Sequence, residues 1–91
     1  MAVLAFAVTG PIARADLAGL CDRVCALLDG AGADEALCDV ESVAVDAVTV
    51  EALARLQLAA RRHGCRVRLR HASDELRQLV SFMGLADVLS E

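Results

Sequence analysis

Four cysteines and two histidines are the side chains of this sequence best suited to metal binding or nucleophilic catalysis. Cys21 and Cys25 lie one helical turn apart, but the sequence contains no Cys-x-x-Cys pair, and no histidine stands near them at ligand spacing. Free cysteine is among the most commonly buried residues, so we interpret these two residues and Cys38 as packing residues. We therefore predict no metal site.

His63 and His71 flank an arginine-rich segment. An acid–base or metal-binding role for either histidine needs partners from elsewhere in the fold, and the sequence identifies none. His63 is predicted at the carboxyl end of a helix, where its side chain favours the exposed carbonyl groups. We interpret it as a structural residue.

Recognisable catalytic motifs are absent from the sequence. There is no phosphate loop, dinucleotide fingerprint or nucleophile elbow, and the segment Gly30-Ala31-Gly32 lacks the further glycines and the lysine of such loops. The carboxylates are scattered, and no two of them form an evident acid–base pair. The sequence therefore predicts a non-enzymatic protein without a cofactor.

All nine basic residues are arginines, in a composition typical of GC-rich bacterial genomes. Arg66, Arg68 and Arg70 alternate on the outward face of a predicted strand, after Arg61 and Arg62. We interpret this stripe as a solvated face, with an acidic protein partner as the alternative. Nucleic acid ranks third, and we expect no nucleic-acid partner, because the net charge is -4 and the chain has two Phe and no Trp or Tyr for base stacking.

The apolar pattern predicts strands and helices in alternation along the chain. Strands are expected at residues 3–8, 36–40 and 65–70, and helices at 13–29, 49–63 and 73–84. A further short apolar stretch covers residues 43–45. We therefore expect one α/β domain over residues 1–91, with a sheet covered by helices.

The amino-terminal segment bears on location. Residues 1–8 lack a basic region, and the apolar run ends at Gly10-Pro11, so we expect no signal peptide and a cytoplasmic protein. No apolar stretch approaches the roughly 20 residues of a membrane span, so we expect no direct membrane insertion.

The turn at residues 45–49 precedes the second predicted helix. A helix amino terminus offers unpaired N–H groups and the positive end of the helix dipole. A carboxylate such as Asp46 is favourable there, and the Thr49 hydroxyl could cap the helix. Capping alone accounts for both residues.

This turn also carries a family resemblance. The succession Leu37-Cys38-Asp39-Val40, Val45-Asp46-Ala47, Leu53 and Leu56 resembles the centre of STAS domains, where Asp-Ser-Ser or Asp-Ser-Thr opens a helix. Three outlying segments, 9–12, 62–67 and 79–85, resemble the family's first turn, the glycine before its next strand and its final helix. The resemblance implies a small mixed β-sheet covered by helices, the STAS (anti-sigma-factor antagonist-like) fold.

STAS domains of this kind act by binding a protein partner. Many members resemble antagonists that capture an anti-sigma factor, itself a serine kinase, and phosphorylation of the serine after the Asp prevents capture. In this chain Ala47 occupies that serine position. We therefore expect no switching at the usual site, with Thr49 as a displaced candidate phosphoacceptor.

The resemblance thus implies a non-catalytic regulatory domain that binds a kinase-type anti-sigma factor. The expected docking and regulatory residues are Asp46, Ala47, Val48, Thr49, Val50 and Leu53. The alternatives are an accessory subunit of an ABC-type lipid transport complex, docked on its ATPase, and a scaffold of a signalling assembly.

Overall fold

A computed structural model of the chain describes residues 3–89, in which strands and helices alternate. The strands are β1 (Val3–Ala7), β2 (Glu35–Asp39) and β3 (Arg66–Arg70), and the helices are α1 (Leu17–Ala31), α2 (Ala47–Arg62) and α3 (Asp74–Phe82). A short 3-10 turn, Arg14–Asp16, precedes α1. The predicted order of three strands and three helices is confirmed.

The three strands form one sheet in the order β1-β2-β3, and every pairing is parallel. Ala5 lies opposite Leu37, and Leu37 lies opposite Arg68. The α/β class is confirmed, but the mixed strand directions that we expected are absent from the described residues. The reason is the connectivity: each strand leads to the next through a helix, and such crossovers join parallel strands.

The helices bury one face of the sheet. In β3, Val67 and Leu69 are buried while the three arginines between and beside them are exposed, as the alternation predicted. In β2, Ala36 and Cys38 lie in the same core. The helices contribute the positions on their apolar stripes, namely Val24 and Leu28 of α1, Val50, Leu53, Leu56 and Ala60 of α2, and Leu76 and Val80 of α3.

Both ends of α1 differ from the prediction. Residues Arg14–Asp16 adopt the 3-10 turn, so α1 begins at Leu17 and not at residue 13. At its other end, α1 continues through Gly30 and stops at Gly32, whose φ of 58° is the left-handed conformation that glycine adopts readily. Gly32 therefore ends this helix.

Gln57 places an amide inside the core. Its Nε2 donates to the carbonyl oxygens of Val67 (2.8 Å) and Val88 (3.1 Å), and its Oε1 accepts from the Val67 N–H (2.9 Å). Val67 belongs to β3, an edge strand of the described sheet. The amide thus bonds the backbone where a neighbouring strand would otherwise pair, and it ties α2 to β3 and to the segment after α3.

None of the helices within residues 3–89 combines the length and the apolar composition that crossing a bilayer requires.

Candidate functional site

The carboxyl ends of the three strands meet at one edge of the sheet, where three loops come together. Gly10 donates its N–H to the Ser42 carbonyl (3.1 Å), and Ala44 donates to the Gly10 carbonyl (2.9 Å), which joins the loops after β1 and β2. Val40 donates to the Arg70 carbonyl (3.0 Å) and joins the ends of β2 and β3. In open α/β sheets, ligands bind at this edge, so we take it as the candidate functional site.

The turn that opens α2 lies at this edge, and Asp46 caps it. Asp46 has extended backbone angles, and its Oδ1 accepts a hydrogen bond from the Thr49 N–H at 2.8 Å. The capping group is therefore the carboxylate of Asp46, as expected, and the further prediction that the Thr49 hydroxyl could cap the helix is wrong. Because the cap stands at Asp46, α2 begins at Ala47 and not at Thr49.

The predicted docking residues divide into a surface group and a buried group. Ala47 is exposed, and Asp46 and Val48 are half-buried, beside Val45 with 41% of its surface exposed. The buried group consists of Thr49, Val50 and Leu53. A partner at this turn would therefore meet residues 45–48, while the side chains of the buried group pack beneath them and lie out of its reach.

Thr49 does not present its hydroxyl to a kinase in this arrangement. The residue has no exposed surface, and its Oγ1 finds no hydrogen-bond partner among the described residues. Its position in the first turn of α2 aims the side chain at the core. This burial argues against Thr49 as the displaced phosphoacceptor, because phosphoryl transfer would need the first turn of the helix to open.

An ion-pair network lies beside the turn. Glu51 accepts from Arg14 (Nη1 to Oε2, 2.5 Å) and from Arg55 (Nη2 to Oε1, 3.1 Å). Both arginines are more than half exposed, so each pair contributes little to stability. The network nevertheless links the 3-10 turn before α1 to the first turns of α2, a contact across 37 residues that no local pattern in the sequence could reveal.

Asp39, Glu41 and His71 form a second group at the same edge. Asp39 accepts the Glu41 backbone N–H on Oδ1 (2.9 Å), and its Oδ2 lies 3.1 Å from His71 Nδ1. These two contacts lower the pKa of the Asp39 carboxyl below its usual value, the Glu41 N–H most strongly. His71 has a φ of 59°, which is uncommon for a residue other than glycine.

Sequence reasoning found no partner for His71, although one signal existed. Asp39 is the last residue of β2, and His71 directly follows the last residue of β3. The parallel register pairs Asp39 with Arg70, which brings the histidine beside the carboxylate. The other histidine, His63, stands at the carboxyl end of α2 as predicted, where its backbone N–H bonds the carbonyl groups of the last turn. Its side chain was expected at those carbonyls but contacts α1, with Nδ1 2.7 Å from Asp29 Oδ1.

All four cysteines are free thiols, and their surroundings suit packing. Cys38 and Cys65 are buried, and Cys21 and Cys25 are half-buried. Burial raises the pKa of the Cys38 thiol to about 12, and it also raises the pKa values of Cys21 and Cys65. These three thiols therefore stay protonated near neutral pH and are poor nucleophiles.

The arginine stripe lies on the sheet face opposite the helices. Arg66, Arg68 and Arg70 are exposed there, and Arg68 pairs with Glu35 of β2 at 3.2 Å. This exposure agrees with the interpretation of the stripe as a solvated face.

Comparison of the sequence with models of known protein families, and with curated proteins, gives no match.

Proposed function

We propose that this chain is a non-catalytic protein-binding domain with a STAS fold, of the anti-sigma-factor antagonist type. Its docking surface is the turn at residues 45–48. One observation carries the proposal: Ala47, at the position where the resemblance places a phosphoacceptor serine, is exposed as the first residue of α2.

The chemistry of the turn suits docking without a phosphate switch. Val45, Ala47 and Val48 together offer an uncharged, partly apolar surface next to the Asp46 cap. A phosphoserine at position 47 would add about -1.5 to -2 charges where a partner must pack, at the cost of repulsion and desolvation. Alanine accepts no phosphate, so the surface stays competent for binding.

The turn is also held in place before any partner arrives. Asp46 caps the helix, and Ala44 bonds to Gly10 in the neighbouring loop. A preformed surface loses less conformational freedom on binding than a flexible one. These contacts therefore support the turn as a recognition surface.

A charge placed at position 47 tests the proposal. The binding partner in the test is a kinase-type anti-sigma factor from the source organism, and its affinity is measured by isothermal titration calorimetry. The Ala47→Asp substitution mimics the phosphate and is compatible with folding, because acidic residues are favourable in the first turn of a helix. We expect binding by the unaltered chain and its loss in this variant.

The matched control is Ala18→Asp, which places the same charge at an exposed position in the first turn of α1. We expect this variant to bind like the unaltered chain. Equal binding by the Ala47→Asp variant, or no binding by any such anti-sigma factor, would contradict the proposal. Capture of a transporter ATPase in place of the anti-sigma factor would favour the alternative of a transport subunit.

A further inference from the structure

The group formed by Asp39, Glu41 and His71 has the composition of a metal site. Each residue supplies one ligand-type atom, and these three atoms all lie within 4.8 Å of one another. Asp39 ends β2, Glu41 lies two residues after it, and His71 directly follows β3, so the cluster is separate from the docking turn at residues 45–48. We propose that the Asp39–Glu41–His71 cluster binds a divalent transition-metal ion such as Zn²⁺.

The distances suit such an ion. With metal–ligand bonds of about 2.0 to 2.2 Å, neighbouring ligand atoms in tetrahedral or octahedral sites lie roughly 3.0 to 3.5 Å apart. Asp39 Oδ2 and His71 Nδ1 are already 3.1 Å apart. These two atoms already have the separation of two ligands of one ion, which would replace the hydrogen bond between them after a small rotation of the imidazole. The exposed Glu41 side chain offers the third ligand atom, within 4.8 Å of the other two.

Asp39 is held in the orientation that such a site needs. The Glu41 N–H occupies Oδ1, which leaves Oδ2 directed at His71. The cluster is also open to solvent, with side-chain exposures of 54% for His71 and 38% for Asp39. Water molecules can therefore fill the remaining coordination positions.

The donor set favours a transition metal over Mg²⁺ or Ca²⁺. Imidazole nitrogen suits Zn²⁺, Ni²⁺ and Cu²⁺, whereas sites for Mg²⁺ and Ca²⁺ are built from oxygen ligands alone. Two carboxylates balance the charge of a divalent ion. The positive charge of Arg70, next to Asp39, acts against cation binding. The sequence-based expectation of no metal site considered each histidine alone, since the pairing of Asp39 with His71 depends on strand register.

Zn²⁺ titration of the full chain tests the site. Isothermal titration calorimetry with ZnCl₂ in a buffer that does not bind metals is expected to show one ion per chain. We expect at least about tenfold weaker binding in His71→Asn and in Glu41→Gln, because even outer-shell partners of a metal contribute 10- to 100-fold in affinity. Asparagine tolerates a positive φ, so the His71→Asn variant retains the backbone that an alanine would strain.

His63→Asn is the matched control, because His63 also lies beside a carboxylate but belongs to no such cluster among the described residues. Its Zn²⁺ affinity should equal that of the unaltered chain. Since thiols also bind Zn²⁺, a Cys21→Ser/Cys25→Ser variant is titrated in parallel and should retain binding. Paramagnetic Co²⁺ then locates the ion by broadening the amide NMR signals of residues 39–41 and 70–72.

Three outcomes would overturn the proposal: no uptake of Zn²⁺ by the unaltered chain, equal affinity in the His71→Asn variant, or loss of binding only in the double serine variant.

Discussion

At the scale of single residues, Gln57 is the polar side chain on which the core depends most. Its amide makes three hydrogen bonds that join α2 to β3 and to Val88. In Gln57→Ala the N–H and carbonyl of Val67 lose their partner inside the core. Buried backbone groups left unpaired are costly, so we expect the free energy of unfolding to fall by about 2 to 4 kcal/mol. Urea denaturation followed by circular dichroism measures this change.

Gln78 provides the control, because it is an exposed glutamine on α3. The Gln78→Ala variant should unfold within about 0.5 kcal/mol of the unaltered chain. A Gln57→Ala variant as stable as the Gln78→Ala variant would show that the three hydrogen bonds contribute nothing to stability.

Cys38 should make stability depend on alkaline pH. The pKa of its thiol is raised from 9.0 to about 12 in the folded chain, mainly by burial. Between these two values the unfolded chain loses the thiol proton and the folded chain retains it. Stability is therefore fully present below pH 9 and should fall as the pH rises toward 12, by at most about 1.4 kcal/mol per pH unit from this group.

The measurement is the free energy of unfolding from pH 7 to pH 11 under reducing conditions. A Cys38→Ala variant starts less stable but should lose stability less steeply above pH 9. Parallel pH profiles for the two proteins would exclude Cys38 as a source of the alkaline loss.

At the scale of elements, sequence periodicity predicted the features that are set within a single segment of the chain. The apolar stripes of the helices and the alternation of β3 follow from local spacing, and the structure confirms them except at Met83, which was expected in the stripe of α3 but lies beyond its end and is exposed. The predicted start of α2, at Thr49, lies two residues after the observed start at Ala47. Asp46 and Thr49 are both plausible capping residues in the sequence, and only the backbone geometry distinguishes them. The parallel direction of the strands depends on how the crossovers return, which periodicity does not report.

In the candidate site, too, local features were predicted from the sequence, and contacts between distant segments were not. The turn at Asp46 and Ala47 was found from the sequence, because a strand, an acid and a helix follow each other within a few residues. Gln57 escaped notice because a single polar residue in an apolar stripe gives no sign that its amide bonds another element. The contact between Asp39 and His71 spans 32 residues and needs the register of β2 with β3.

The Asp46 cap leads to a prediction for α2. Removing the carboxylate in Asp46→Ala leaves the Thr49 N–H without its acceptor, so the free energy of unfolding should fall by about 1 kcal/mol. Asp46→Asn retains an acceptor oxygen and should cost clearly less. Thermal and urea unfolding of both variants measure the difference. Equal losses would attribute the effect to the charge of Asp46 at the helix terminus and not to the cap.

At the scale of the whole molecule, the described residues form two layers, with the helices on one face of the sheet only. The other face carries Ala5 and Ala7 of β1, Leu37 of β2 and the arginine stripe of β3. Parallel sheets are usually covered on both faces. Substitutions on the helix-covered face of the sheet should therefore lower the free energy of unfolding much more than substitutions on the open face.

Substitutions at two adjacent residues of β3 compare the two faces directly. Leu69→Ala removes a side chain that packs in the core, and we expect a loss of about 2 to 4 kcal/mol in the free energy of unfolding. Arg68→Ala removes an exposed ion pair with Glu35 on the open face and should cost less than about 1 kcal/mol. Urea denaturation at two protein concentrations tests both values. A large loss for Arg68→Ala that grows with protein concentration would mean that a second copy covers the open face in solution, and the two-layer description of the isolated chain would then be incomplete.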